Sequence, residues 1–212
     1  MTQMAPSRRA FTVLEAVVGL VALVITATVA LPQIGQARAV DRQLQDSTQL
    51  RQLAMSSLKW AQSNKETFPT PSEIDRSGFT VARPDGLRGS DRRLDTTGNT
   101  LSLLIWNGYI DAETTVSPVE TGNVEAMEDY RFVAPPTSAD PQRALWDPAF
   151  RGTPLDQPIK TPDGDVGIAS NNSYAQVVWF EKRNRLWSNT FSSSEAVFGN
   201  RGPAFTLDEN TW

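Results

Sequence analysis

The N-terminal part of the chain contains a long apolar run that carries a single charge. From Phe11 to Leu31 there are 21 residues, and Glu15 is the only charged one among them. A helix of this length covers roughly 31 Å, which is close to the thickness of the hydrocarbon core of a bilayer. The pattern therefore predicts a transmembrane helix over residues 11–31.

Beyond Pro32 the apolar positions continue at helical spacing. Polar residues occupy the other faces of the helix. The apolar positions that share one face are Val40, Leu44, Leu50, Ala54, Leu58 and Ala61. The helix is expected to end near Asn64, before the Phe68–Pro71 stretch with its two prolines. A coiled coil is the alternative for this second half, but the heptads are not sustained.

After the helix the pattern changes to short elements. Residues 100–107 predict a short helix that Thr100 can cap and Gly108 can close. Tyr130 to Val133 and Tyr174 to Phe180 are typical of strands. Residues 134–165 hold seven prolines, which favours a long ordered loop over a central strand.

Together these elements predict an α+β fold in three parts. Residues 1–10 form a basic leader, and residues 11–64 form one long helix that is transmembrane in its first half. Residues 65–212 form a globular head, a small antiparallel sheet that packs on the helix.

Composition narrows the chemistry. The chain has no cysteine and no histidine, so thiolate or imidazole metal sites and Ser-His-Asp triads are excluded. With no other catalytic constellation in view, we expect a protein that is not an enzyme and needs no cofactor. Charge is unevenly distributed along the chain. Residues 16–65 hold 5 basic and 2 acidic groups, whereas residues 66–212 hold 13 basic and 21 acidic groups. An acidic head on a basic helix argues against nucleic-acid binding and permits contact between copies.

The residues around Glu15 suggest a reason for its position. Arg8 and Arg9 precede the apolar run and favour a cytoplasmic N-terminus, with the head in the periplasm. Cleavage after the small residue Ala10 would leave a free amine on Phe11, at the positive end of the helix dipole. Glu15, four residues later, can neutralise that amine or the amine of a neighbouring copy. The alternative is a signal anchor with an incidental glutamate.

The stretch Ala10-Phe11-Thr12-Val13-Leu14-Glu15 resembles the N-terminal motif of type IV prepilins and of type II secretion pseudopilins. The resemblance implies cleavage by a prepilin peptidase before Phe11 and methylation of the new amine. It also implies that Thr12, Glu15 and Pro32 lie in the assembly helix. Ala10 stands where the family usually has glycine. A local loosening of the helix at Pro32 and a simple kink remain equally open.

Three stretches of the head resemble bacterial pseudopilin-like proteins. They are residues 49–69, residues 103–118 and, near the end, residues 172–175 with 196–203. Relatives have cysteine before the proline of the second stretch, whereas this chain has Ser117. Some pseudopilin heads bind calcium, for which Asp163 and Asp165 are the candidates in this chain; an ordinary turn is the alternative.

Two functions of different classes follow from these patterns. The first is a structural subunit of a pilin-like filament, inserted in the inner membrane and assembled with other pilin-like subunits. The second is an unprocessed, membrane-tethered periplasmic binding module that displays an acidic head. The mature N-terminus distinguishes the two, because only the first requires a chain that starts at Phe11.

Overall fold

The computed structural model describes residues 13–82, 91–120, 124–152, 170–177, 187–188 and 196–200, without the side chains of residues 27 and 29–34. The chain divides into two compact units, Met1–Leu44 and Gln45–Trp212. Helix α1 spans Val13–Ser63 and therefore contributes to both units. Its end lies one residue before the predicted one, and Lys65 and Glu66, with φ of 54° and 61°, turn the chain away.

The predicted membrane span is wrong: among the residues that the structure describes, no helix is long and apolar enough to cross a membrane. A helix that crosses a hydrocarbon core needs about 20 consecutive apolar residues. The expected α+β fold is thus corrected to one without a transmembrane first half.

The second unit also contains short helices. Helix α2 spans Pro71–Ile74 and α3 spans Thr97–Trp106, and 3-10 turns occupy Arg92–Leu94 and Ala112–Thr115. Thr96 caps α3, with its Oγ1 accepting a hydrogen bond from the Asn99 amide at 3.2 Å. The predicted cap, Thr100, lies inside the helix and is fully buried.

Gly108 ends α3 as predicted. Its φ is 69°, and its amide donates to the Ile105 carbonyl at 2.9 Å. A left-handed backbone costs glycine little, because glycine lacks a Cβ. The helix is therefore placed correctly by its apolar pattern, although its start lies three residues before the predicted one.

The sheet has two short antiparallel strands among the described residues, β1 at Tyr174–Gln176 and β2 at Phe198–Asn200. Tyr174 pairs with Asn200, Ala175 with Gly199 and Gln176 with Phe198. The strand predicted from Tyr130 to Val133 is absent. Instead, the Arg131 amide donates to the Asp147 carboxylate at 3.0 Å, so a side chain occupies a donor that a strand partner would need.

The core of the second unit lies between α1 and α3. From α1 it takes Leu53, Trp60 and Ala61, while Leu50 and Leu58 are partly buried against it. From α3 it takes Leu101, Leu103, Leu104 and Ile105. Phe68 and Trp187 meet edge to face, with their ring centroids 5.2 Å apart. The predicted stripe is therefore incomplete, since it omitted Leu53 and Trp60.

Candidate functional site

The described N-terminal part of α1 exposes large apolar side chains on every face. Nine of them are at least half exposed: Val13, Leu14, Val17, Val18, Leu20, Val21, Leu23, Val24 and Ile25, from 50% for Val21 to 82% for Val13. A helix on the surface of a globular protein usually has one apolar stripe, whereas one that is apolar all round is normally buried. Residues 13–26 are therefore a candidate packing surface, which we call the apolar segment.

Two threonines, one in the apolar segment and one just after it, form their side-chain hydrogen bonds within the helix. Thr26 Oγ1 donates to the Ala22 carbonyl at 2.7 Å, and Thr28 Oγ1 donates to the Ile25 carbonyl at 2.8 Å. Each hydroxyl is satisfied locally, so neither threonine requires water or a polar partner outside the helix. At Gly19 a Cβ added to the backbone would meet nothing within 4 Å, so the helix surface there is open.

Glu15 lies in the first turn of α1 and is exposed. A carboxylate at this end of a helix interacts favourably with the helix dipole, typically by about 0.3–1 kcal/mol. Ala10, Phe11 and Thr12 lie outside the described residues. The backbone of α1 remains helical through Pro32, whose side chain is also outside the description.

A second polar site lies in the second unit and centres on Asp46, which is only 8% exposed. Its Oδ1 accepts hydrogen bonds from Ser117 Oγ at 2.5 Å and from Tyr174 Oη at 3.0 Å. Its Oδ2 accepts from Asn200 Nδ2 at 2.8 Å. We call these four residues the Asp46 cluster.

The cluster joins four parts of the second unit. Asp46 belongs to α1, Tyr174 begins β1, Asn200 ends β2, and Ser117 follows the 3-10 turn at Ala112–Thr115. The β1–β2 register brings Tyr174 and Asn200 together, because these two residues face each other across the sheet. The cluster therefore fixes α1 to both strands and to one loop.

Burial shapes the electrostatics of the cluster. It raises the pKa of Tyr174, and the nearby Asp46 carboxylate raises it further because it both accepts the hydrogen bond and repels a phenolate. Tyr174 Oη also lies 2.8 Å from Gln49 Oε1. The hydroxyl thus remains a neutral donor, which suits the positioning of a helix and not proton transfer.

Sequence reasoning missed the Asp46 cluster. Ser117 and Tyr174 lie 71 and 128 residues after Asp46 in the sequence, so no local pattern connects them with it. Only the fold brings their hydroxyls to the buried Asp46 carboxylate.

The predicted calcium candidates, Asp163 and Asp165, lie outside the described residues. Within the described part of the chain, no group of three or more acidic side chains is arranged to hold a metal ion. Buried carboxylates there have other partners. Asp75, for example, accepts from the amides of Phe79 and Thr80, each at 2.8 Å, and so stabilises a turn.

Comparisons with known proteins add no assignment. No protein-family model matches the chain, no curated protein matches it, and no solved structure matches it.

Proposed function

We propose that the chain is a structural subunit of a pilin-like filament, of the type II secretion pseudopilus or a related type IV pilus-like system. A prepilin peptidase would trim it before Phe11, and the apolar segment of α1 would pack against other pilin-like subunits. The observation that carries the proposal is the exposure of nine large apolar side chains in the segment that also holds Glu15.

The apolar segment would supply a large part of the free energy of assembly. Covering the exposed part of each of the nine side chains contributes roughly 1 kcal/mol, or about 9 kcal/mol together. That is similar to the cost of association, which is about 4–15 kcal/mol. Apolar burial would therefore supply most of the attraction, and several neighbours would have to contribute for assembly to be stable.

Glu15 would supply register. Apolar burial is non-directional, so helices held only by it can slide along each other. A pair between Glu15 and the amine of a neighbour's Phe11 is satisfied at one stagger and lost when one helix shifts. Such a pair contributes little net free energy, but an unpaired charge inside a bundle is costly, which penalises every other stagger.

The proposal predicts that Glu15→Val abolishes ordered filaments and leaves the second unit folded. The measurement is the amount of chain in sheared or sedimented filaments from cells that carry the variant, with intact chain quantified in parallel. Asp41→Ala is the matched control, because Asp41 is an exposed carboxylate on the same helix, outside the apolar segment. Filament incorporation of Glu15→Val at the level of the unaltered chain would refute the pairing role.

A further inference from the structure

A cavity in the second unit is lined by both apolar and acidic side chains. Its volume is about 340 Å³. Its lining includes the apolar groups of Met127, Tyr130 and Phe132 and the carboxylates of Asp111, Glu113 and Glu128. We call it the acidic groove. It shares no residue with the Asp46 cluster.

The groove keeps an aromatic ring accessible. Phe132 is 55% exposed although its ring packs against Tyr130, with 4.8 Å between the centroids. Val133 beside it is 81% exposed. An exposed aromatic face next to carboxylates suits an arginine, whose guanidinium stacks on a ring while its N–H groups donate to acids. The apolar stem of the arginine can lie along Met127.

The chain already contains one such arrangement elsewhere. The Arg143 guanidinium lies 4.0 Å from the centroid of the Phe79 ring. The same guanidinium pairs with Asp140, with 2.6 Å between Arg143 Nε and Asp140 Oδ2. An aromatic ring and a carboxylate therefore bind an arginine in this fold, and the acidic groove offers both groups without the arginine.

The groove carboxylates have no ion pair among the described residues. The ion pairs there join Arg76 with Glu73, Arg93 with Asp91 and Arg143 with Asp140. Arg38 and Arg42 of α1 also have no ion pair among the described residues. Within the described part of the chain, acids without an ion pair in one unit and arginines without an ion pair in the other carry complementary charges.

Arg38 and Arg42 are placed to reach another molecule. They are four residues apart on α1 and so share a face of the helix. Every side chain from residue 35 to residue 45 is exposed. The wider charge distribution agrees, with an excess of basic groups over residues 16–65 and of acidic groups over residues 66–212.

We propose that the acidic groove binds Arg38 or Arg42 of a second copy of this chain, with the guanidinium between Phe132 and the carboxylates of Glu113 and Glu128. The inference rests on the proposed function, because it requires a filament that would bring α1 of one copy beside the second unit of another. It adds a contact that lies outside the apolar segment and involves no methylated amine.

Cross-linking between copies tests the contact, since the chain has no cysteine of its own. One tagged copy carries Ala39→Cys, beside Arg38, and a differently tagged copy carries Ala126→Cys, in the groove lining. We expect a disulfide that joins the two differently tagged copies when both are expressed together. Glu113→Arg/Glu128→Arg in the Ala126→Cys copy is expected to lower the yield about tenfold, the scale of two modest charge pairs.

Exchanging the charges of the two partners gives a more stringent test. Adding Arg38→Glu/Arg42→Glu to the Ala39→Cys copy should restore the yield with the reversed groove. Glu66→Arg/Glu73→Arg changes the charge equally at exposed acids that do not line the groove, and should leave the yield unchanged. Equal loss from this control, or no loss from the groove variant, overturns the proposal.

A peptide separates this inference from the filament itself. A synthetic peptide of residues 35–45 should bind the full chain, and its Arg38→Glu/Arg42→Glu version should bind at least about tenfold more weakly. Peptide binding that Glu113→Arg/Glu128→Arg removes supports the groove even if no filament forms. Normal filaments without peptide binding and without the cross-link overturn the groove and leave the proposed function standing.

Discussion

The Asp46 cluster makes a quantitative prediction about stability. Asp46→Ala removes a buried carboxylate that accepts from Ser117, Tyr174 and Asn200, the longest of these hydrogen bonds being 3.0 Å. Hydrogen bonds to a charged group contribute about 1.5–3 kcal/mol each, and a buried donor left unsatisfied costs about 1–3 kcal/mol. Tyr174 keeps Gln49 as a partner, which limits its share. We therefore expect a loss of about 3–5 kcal/mol, a large part of the stability of an ordinary domain.

Urea unfolding of the full chain, followed by tryptophan fluorescence, measures this loss. Trp60 and Trp187 are both buried in the core that α1 forms in the second unit, so their emission reports its unfolding. Asp41→Ala is the control on the same helix, because an exposed aspartate should change stability by less than about 0.5 kcal/mol. If Asp46→Ala lowers the free energy of unfolding by less than about 1 kcal/mol, the cluster does not hold α1 in place.

Two further predictions concern the second unit. Burial raises the pKa of Tyr130 to about 12, so between pH 10 and 12 the unfolded chain loses this proton while the folded chain keeps it. The contribution of the Tyr130 proton to the free energy of unfolding is complete below pH 10 and falls by about 1.4 kcal/mol per pH unit between pH 10 and 12. Tyr130→Phe should therefore reduce the decline of the free energy of unfolding with pH, measured by urea unfolding across this range. A slope equal to that of the unaltered chain would contradict the burial. Gly98→Ala would place a Cβ 2.6 Å from the Gly152 amide nitrogen and should cost about 2–4 kcal/mol, while Gly199→Ala, with nothing within 4 Å, should stay within about 0.5 kcal/mol. Similar melting temperatures for the two variants would show that the backbones at Gly98 can separate.

Local patterns in the sequence predicted α1 and α3 because the signals for each helix lie close together in the chain. The prolines that follow Asn64 and the glycine after α3 placed two helix ends within a residue or so. The core position of Leu53 was missed because the apolar stripe passes near two neighbouring faces of α1. Which of those faces becomes buried depends on α3, and helical periodicity alone does not contain that information.

Contacts between residues that are distant in the sequence could not be predicted from local patterns. Asp46 and Asn200 are 154 residues apart, and an aspartate on a helix usually lies in solvent. The β-forming residues at Tyr130 to Val133 favoured a strand, yet the Asp147 carboxylate takes the Arg131 amide and Tyr130 Oη donates to the Ser102 carbonyl at 2.7 Å. Tertiary hydrogen bonds therefore outweighed local propensity.

The N-terminal mass of the chain isolated from its native cells tests the central claim most directly. Assembly through Glu15 requires a free amine four residues before it, so we predict a chain that begins at Phe11 and carries one methyl group. The measurement is intact-mass spectrometry with fragmentation of the N-terminal peptide. A functional chain that retains residues 1–10 would contradict the proposed filament subunit and favour a binding module instead.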